Sequence, residues 1–121
     1  HVNLIFDAVN ATYQITHWVR DRTRGPRMPI ELMVHKQTLR NAQLFGLHDR
    51  GQIAAGKRAD LNLFDLQKLD LGELQVHHDL PAGGSRILQP ASGYLNTFVH
   101  GVKTRQHDHD TGARPGRVIR G

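Results

Sequence analysis

Two histidines two residues apart, His107 and His109, with Asp108 between them and Asp110 after them, form the densest group of metal-binding side chains in the sequence. On an extended strand the side chains at i and i+2 leave the same face, so two imidazoles at this spacing can hold one metal ion. The context points elsewhere. Thr111-Gly112-Ala113 follows at once, and the group reads as an exposed polar loop tip, where zinc would attach only adventitiously at high concentration. His77-His78-Asp79 could in principle supply two ligands, but neighbours along a strand point to opposite faces. Spacing alone therefore assigns no catalytic residue and no metal ligand in this chain.

Other chemistry fares no better. Gly51-Gln52-Ile53-Ala54-Ala55-Gly56-Lys57 satisfies a phosphate-binding loop up to its last position, where Arg58 replaces the required Ser or Thr. Such a loop also follows a strand and opens a helix, whereas this segment follows a helical pattern and precedes a strand. A tight turn feeding that strand is the expectation. Asp60 and Asp65, at the two ends of the same strand, would sit roughly 16 Å apart, too far to share a substrate atom, and are expected to serve strand-end hydrogen bonding. Ser85 and Ser92 lack a neighbouring His and Asp arrangement for nucleophilic attack.

The balance of 16 Lys+Arg against 11 Asp+Glu gives a net charge of +5, with nine basic and five acidic residues in positions 1–60. Arg20, Arg22, Arg24 and Arg27 are the densest cluster. A stand-alone basic module that binds nucleic acid or protein is the alternative function this cluster raises. Asp21 interrupts the run, and no aromatic residues alternate with the arginines to stack bases. A solvated helix end, its cations opposing the negative pole of the helix dipole, is the preferred reading. No nucleic-acid partner is expected.

These residues need elements to hold them. Val2, Ile5, Phe6, Val9 and Tyr13 recur at helical steps, and Ile15, Trp18 and Val19 extend an apolar surface, which predicts a helix from Val2 to about Arg22. Gly25-Pro26 ends it. A second helix is predicted from Pro29 to Phe45, with Glu31 in its first turn and Gly46 as its stop. Thr38, Ala42 and Gly46 form a small-residue ridge along it that permits close approach. Beyond Leu47 the pattern changes to short strands: Ala59 to Asp65, then a hairpin of Tyr94 to Val99 and Val102 to Arg105 turning at His100-Gly101. A last strand is expected from Arg117 to Arg120, and Leu69 to Pro90 is expected to be a structured loop. At 121 residues the chain can bury roughly two-thirds of its unfolded surface. It has no apolar run long enough to span a membrane. With no cysteines and no signal-like start at His1-Val2-Asn3, a cytoplasmic location is expected.

Four ordered blocks carry a more specific likeness: His17-Trp18-Val19-Arg20-Asp21-Arg22, Gly46-Leu47-His48-Asp49-Arg50-Gly51, His78-Asp79-Leu80-Pro81-Ala82-Gly83-Gly84 and Thr111-Gly112-Ala113-Arg114-Pro115-Gly116-Arg117. Together they resemble the C-terminal end of N-acyl-D-amino-acid deacylases, the D-aminoacylases of the metal-dependent amidohydrolase superfamily. The segment Gly51 to Leu61 and the Thr38-Ala42-Gly46 series also resemble that superfamily. The resemblance implies an α+β fragment: residues 1–47 as terminal helices of an α/β (TIM-type) barrel, residues 48–121 as short strands of the accessory β-sandwich. In that family a Ser-Asp-Gly-Gly-Ala-His run carries the metal-site Asp, and His1 is similar to its last residue. His1 is thus the one candidate substrate-binding residue, lining the pocket of the intact parent. The resemblance further implies zinc in that parent, an N-acyl-D-amino acid as its small-molecule substrate, and an upstream part of the same enzyme as partner. This chain alone is expected to be inactive, and to self-associate through its open strand edges. The family pattern also leads one to expect Asn where His100 stands.

Overall fold

The computed structural model describes residues 6–119, so His1, Val2 and Ile5 lie outside the described residues, as do the side chain of Phe6 and residue Arg120. The first helix begins as α1 (Phe6–Tyr13) and continues as a π-helical segment, Gln14–Asp21. That second half departs from the regular helix the spacing predicts. Ile15, Thr16 and Val19 are β-branched and Trp18 is bulky, which weakens the α-helical preference. The wider winding, closed by the Arg22 N–H on the His17 carbonyl at 2.8 Å, stacks the Tyr13 and His17 rings at 5.1 Å and 5°. It also leaves the Trp18 carbonyl to accept the Met28 N–H at 2.9 Å.

The second helix is broken as well. It comprises α2 (Ile30–Gln37) and α3 (Leu39–Leu44), hinged at Thr38 with φ −116° and ψ −91°. The Thr38 hydroxyl donates back to the Val34 carbonyl at 2.7 Å, a bond that bends helices. Of the small-residue ridge, Ala42 is the position in close contact, while nothing lies within 4 Å of a Cβ placed on Gly46. A Cβ on Gly51 would meet the Ala42 Cβ at 2.8 Å and the Leu39 Cα at 2.9 Å, so the chain after α3 folds back onto it in near-contact.

Among the described residues eight short strands follow: β1 (Leu61–Phe64), β2 (Asp70–Leu71), β3 (Gln75–His77), β4 (Arg86–Leu88), β5 (Ala91–Ser92), β6 (Tyr94–Val99), β7 (Val102–Gln106) and β8 (His109–Asp110). The order β1-β6-β7-β8 forms an antiparallel sheet, while β2-β5 and β3-β4 form two-stranded ladders. The predicted hairpin is present, turning at His100 (φ 52°) and Gly101 (φ 76°). Residues 69–90 are more ordered than a loop: backbone pairing within β2-β5 and β3-β4 gives the segment its order where side-chain periodicity is weak. Residues 117–119 are in no strand; Val118 is 82% exposed, so nothing along this stretch draws it onto the sheet.

Helices and strands share one small core. Ile15, Met33 and Leu69 are buried at its centre, and Trp18, Val19, Met28, Phe64, Leu66 and Tyr94 pack around them. Each fully buried side chain of this size contributes about 1.5–3 kcal/mol. Much apolar surface stays outside it, with Leu44, Phe45 and Ile53 at 77%, 75% and 89% exposure. The architecture is α+β.

Candidate functional site

A cleft of about 280 Å³ lies between α1, α2 and β1, walled by Ile15, Val34, Ile53, Leu61, Phe64 and Tyr94. Beside it the Thr12 and Tyr94 hydroxyls share a hydrogen bond of 2.7 Å, and Thr12 is 1% exposed. Burial of two hydroxyls is tolerable because each satisfies the other. This pair, 82 residues apart in sequence, ties α1 to the middle of the sheet.

A second tie closes the base of the core. Arg20 leaves the π-helical segment and donates to the carbonyls of Leu66 at 2.8 Å and Leu69 at 2.6 Å, with a longer contact to Gln67 at 3.4 Å. Asp21 grips the same guanidinium at 2.6 and 2.8 Å. Of the other arginines in the cluster, Arg22 and Arg27 bond to nearby backbone, while Arg24 and Arg27 stay exposed. Arg22 lies over the Trp18 ring at 4.7 Å and donates to the Arg24 carbonyl, and Arg27 donates to the Arg22 carbonyl. The helix end thus combines the Arg20 clamp with a solvated cationic side at Arg24 and Arg27.

Asp60, at the start of β1, accepts from Arg58 at 2.9 Å, from Arg50 at 3.3 Å and from the His100 N–H at 2.8 Å. Burial works against its charge, but the His100 N–H and the Arg58 guanidinium outweigh it and hold the carboxyl below its ordinary range. Asp65, at the far end, accepts the Gln67 N–H. Both carboxylates do strand-end work, as the sequence predicts. Lys57 donates to the His48 carbonyl at 2.5 Å, so the segment resembling a phosphate loop is a turn closed on itself, with neither strand before it nor helix after it.

His107 (φ 47°) and Asp108 (φ 64°) form the turn between β7 and β8, and both His107 and His109 are exposed. The Asp108 carboxylate explains that conformation: it folds inward to accept the N–H groups of Gly93 and Tyr94 at 3.1 and 3.0 Å. Asp110 pairs with Arg114 at 2.7 and 2.9 Å. The Arg114 guanidinium, helped by the Gly112 N–H, pulls its carboxyl down to about 2. Among the described residues no three His, Asp or Glu side chains gather to hold a metal.

His77 shares a contact of 3.2 Å with the Gln75 side chain, His78 is exposed, and Asp79 is held by Arg86 at 2.7 and 2.5 Å. The Arg86 guanidinium keeps the Asp79 carboxyl below its usual range. This ion pair spans the Pro81–Gly83 turn. Within the turn Ala82 at φ 58° and Gly83 at φ 72° both adopt left-handed conformations. Ser85 and Ser92 are exposed, and the candidate substrate residue His1 lies outside the described residues.

The described residues thus converge on packing and turn-closing contacts. Thr12, Tyr94 and the Arg20 clamp were not singled out by sequence, because nothing in spacing links residues 46 to 82 positions apart. Among the described residues no helix is long and apolar enough to cross a membrane. Compared with known proteins, residues 1–104 match the model of the amidohydrolase family. No curated protein and no solved structure gives a match.

Proposed function

This chain belongs to the amidohydrolase family, and from that premise we propose that it forms the C-terminal part of a hydrolase that cleaves the amide bond of N-acyl-D-amino acids. The observation that carries the reading is the ordered set of four blocks, from His17 to Arg117, lying across and just beyond the family match. In this reading residues 1–47 close an α/β barrel and residues 48–121 belong to the flanking β-sandwich. In this reading the exposed large apolar side chains Leu44, Phe45 and Ile53 pack on the remainder of the enzyme.

Zinc is the metal the resemblance implies, and the donors among the described residues do not fit it, because no three of them converge. In this reading these residues carry no catalytic step. Their task is mechanical: Arg20 and the Thr12–Tyr94 pair fix the helices on the sheet. Rigid support of this kind holds a reacting constellation in place from a distance. His1 is the one residue proposed to line the substrate pocket.

The test is release of free D-amino acid from an N-acetyl-D-amino acid in the presence of zinc. The 121-residue chain is compared with a polypeptide extended by the residues encoded immediately before His1. Turnover by the extended form alone is expected. Turnover by the 121-residue chain would overturn its supporting role, and an extended form that cleaves only other amides would overturn the substrate.

A further inference from the structure

We propose that the 121-residue chain by itself forms a two-fold dimer by antiparallel pairing of strand β1 with β1 of a second copy. The four-stranded sheet has two edges, and they differ sharply. The β8 edge is two residues long, and it is followed by the Asp110–Arg114 ion pair and the Thr111 N–H bond to the Thr104 carbonyl. Short length and charge are how edges are normally kept from pairing. The β1 edge, Leu61-Asn62-Leu63-Phe64, contains neither charge nor proline. Its flanking carboxylates are already engaged: Asp60 with Arg58, Arg50 and the His100 N–H, and Asp65 with the Gln67 N–H.

Among the described residues β1 pairs with β6 alone, so its other side carries backbone N–H and C=O groups without a ladder partner. Leu61, Asn62 and Leu63 are all exposed, Leu63 at 53%. The sequence favours a second copy over an unrelated strand because it is self-complementary. Antiparallel pairing centred on Asn62 sets Leu61 opposite Leu63 of the second copy on one face, and the two Asn62 amides opposite each other on the other. Cross-strand pairs matched in this way stabilise a sheet. Ile53, 89% exposed on the adjoining cleft wall, adds apolar contact. A four-residue edge falls well short of the roughly 1,000 Å² of a tight interface, so the dimer is concentration-dependent.

Sedimentation of the chain over a dilution series tests this, beside Leu63→Lys and, as a control of equal charge outside the β1 edge, Leu74→Lys. Expected are a reversible monomer–dimer equilibrium for wild type and Leu74→Lys, and a monomer with unchanged circular dichroism for Leu63→Lys. Amide exchange supplies a readout independent of that variant: the β1 amides should exchange more slowly as concentration rises. A wild type that stays monomeric, aggregates without a discrete dimer, or shows β1 exchange indifferent to concentration would overturn the proposal, as would dimeric Leu63→Lys. None of these outcomes bears on the hydrolase reading.

Discussion

Removing the guanidinium of Arg20 should uncouple the first helix from the strand region, and the size of the effect follows from its contacts. Two bonds are short and part-buried, 2.8 Å to the Leu66 carbonyl and 2.6 Å to the Leu69 carbonyl; the third, at 3.4 Å, adds little. A hydrogen bond from a charged donor contributes about 1.5–3 kcal/mol net. The Arg20 side chain keeps 20% exposure, so water reaches the orphaned carbonyls in part, and Arg20→Ala should lose about 2–4 kcal/mol. Arg20→Lys retains the charge but presents no planar fork, and should recover only about 1 kcal/mol of that. Asp21→Asn, which removes the exposed side of the same network, should have little effect because surface ion pairs are weak. Urea unfolding followed by the fluorescence of Trp18, the single tryptophan, measures all three at one protein concentration. Trp18 packs against the core that Arg20 closes. A loss below about 0.5 kcal/mol for Arg20→Ala, the range of an ordinary surface substitution, would refute the clamp.

Gly51→Ala should destabilise by about 1–3 kcal/mol in the same assay. The new Cβ would overlap Ala42 and the Leu39 backbone, and the site holds φ at +89°, unfavourable for any L side chain; wild-type stability in the variant would mean that α3 and the following turn are not in contact. Asp110 should titrate at about 2, seen as the carboxyl carbon shift in NMR. Because its folded value lies below the ordinary carboxylate range, its stabilising contribution is fully present above about pH 4 and is lost as pH falls through about 2. Arg114→Ala should return the titration towards the ordinary range, and an unmoved midpoint would remove Arg114 as the cause.

How much of this was visible in the one-dimensional chain depended on the range of the interaction responsible. The β6–β7 hairpin and its His100-Gly101 turn, the first strand, and the polar tip at His107–Asp108 were legible because turn chemistry and two-residue alternation act over a few positions. The break at Thr38 rests on a local bond too, Thr38 to Val34, yet Thr is common enough within helices that its presence alone does not announce a hinge. Ordering of residues 69–90 depends on ladders between β2 and β5 and between β3 and β4, whose partners are chosen by the surrounding fold and not by their own composition.

The candidate site divides along the same line. Spacing correctly placed Asp60 and Asp65 in strand-end roles, since each acts where its strand begins or ends. Arg20 sits in a run that looks like a cationic surface, and only its reach to Leu66 and Leu69 distinguishes a clamp from a solvated charge. Thr12 is read on a helix as an unremarkable polar residue, while in the fold it is 1% exposed and satisfied by Tyr94. Both residues matter through partners on the far side of the core. Substitutions that keep local propensity, such as Thr12→Val or Arg20→Lys, therefore separate the two kinds of information: they leave every short-range signal in place and remove only the contact that joins helix to sheet.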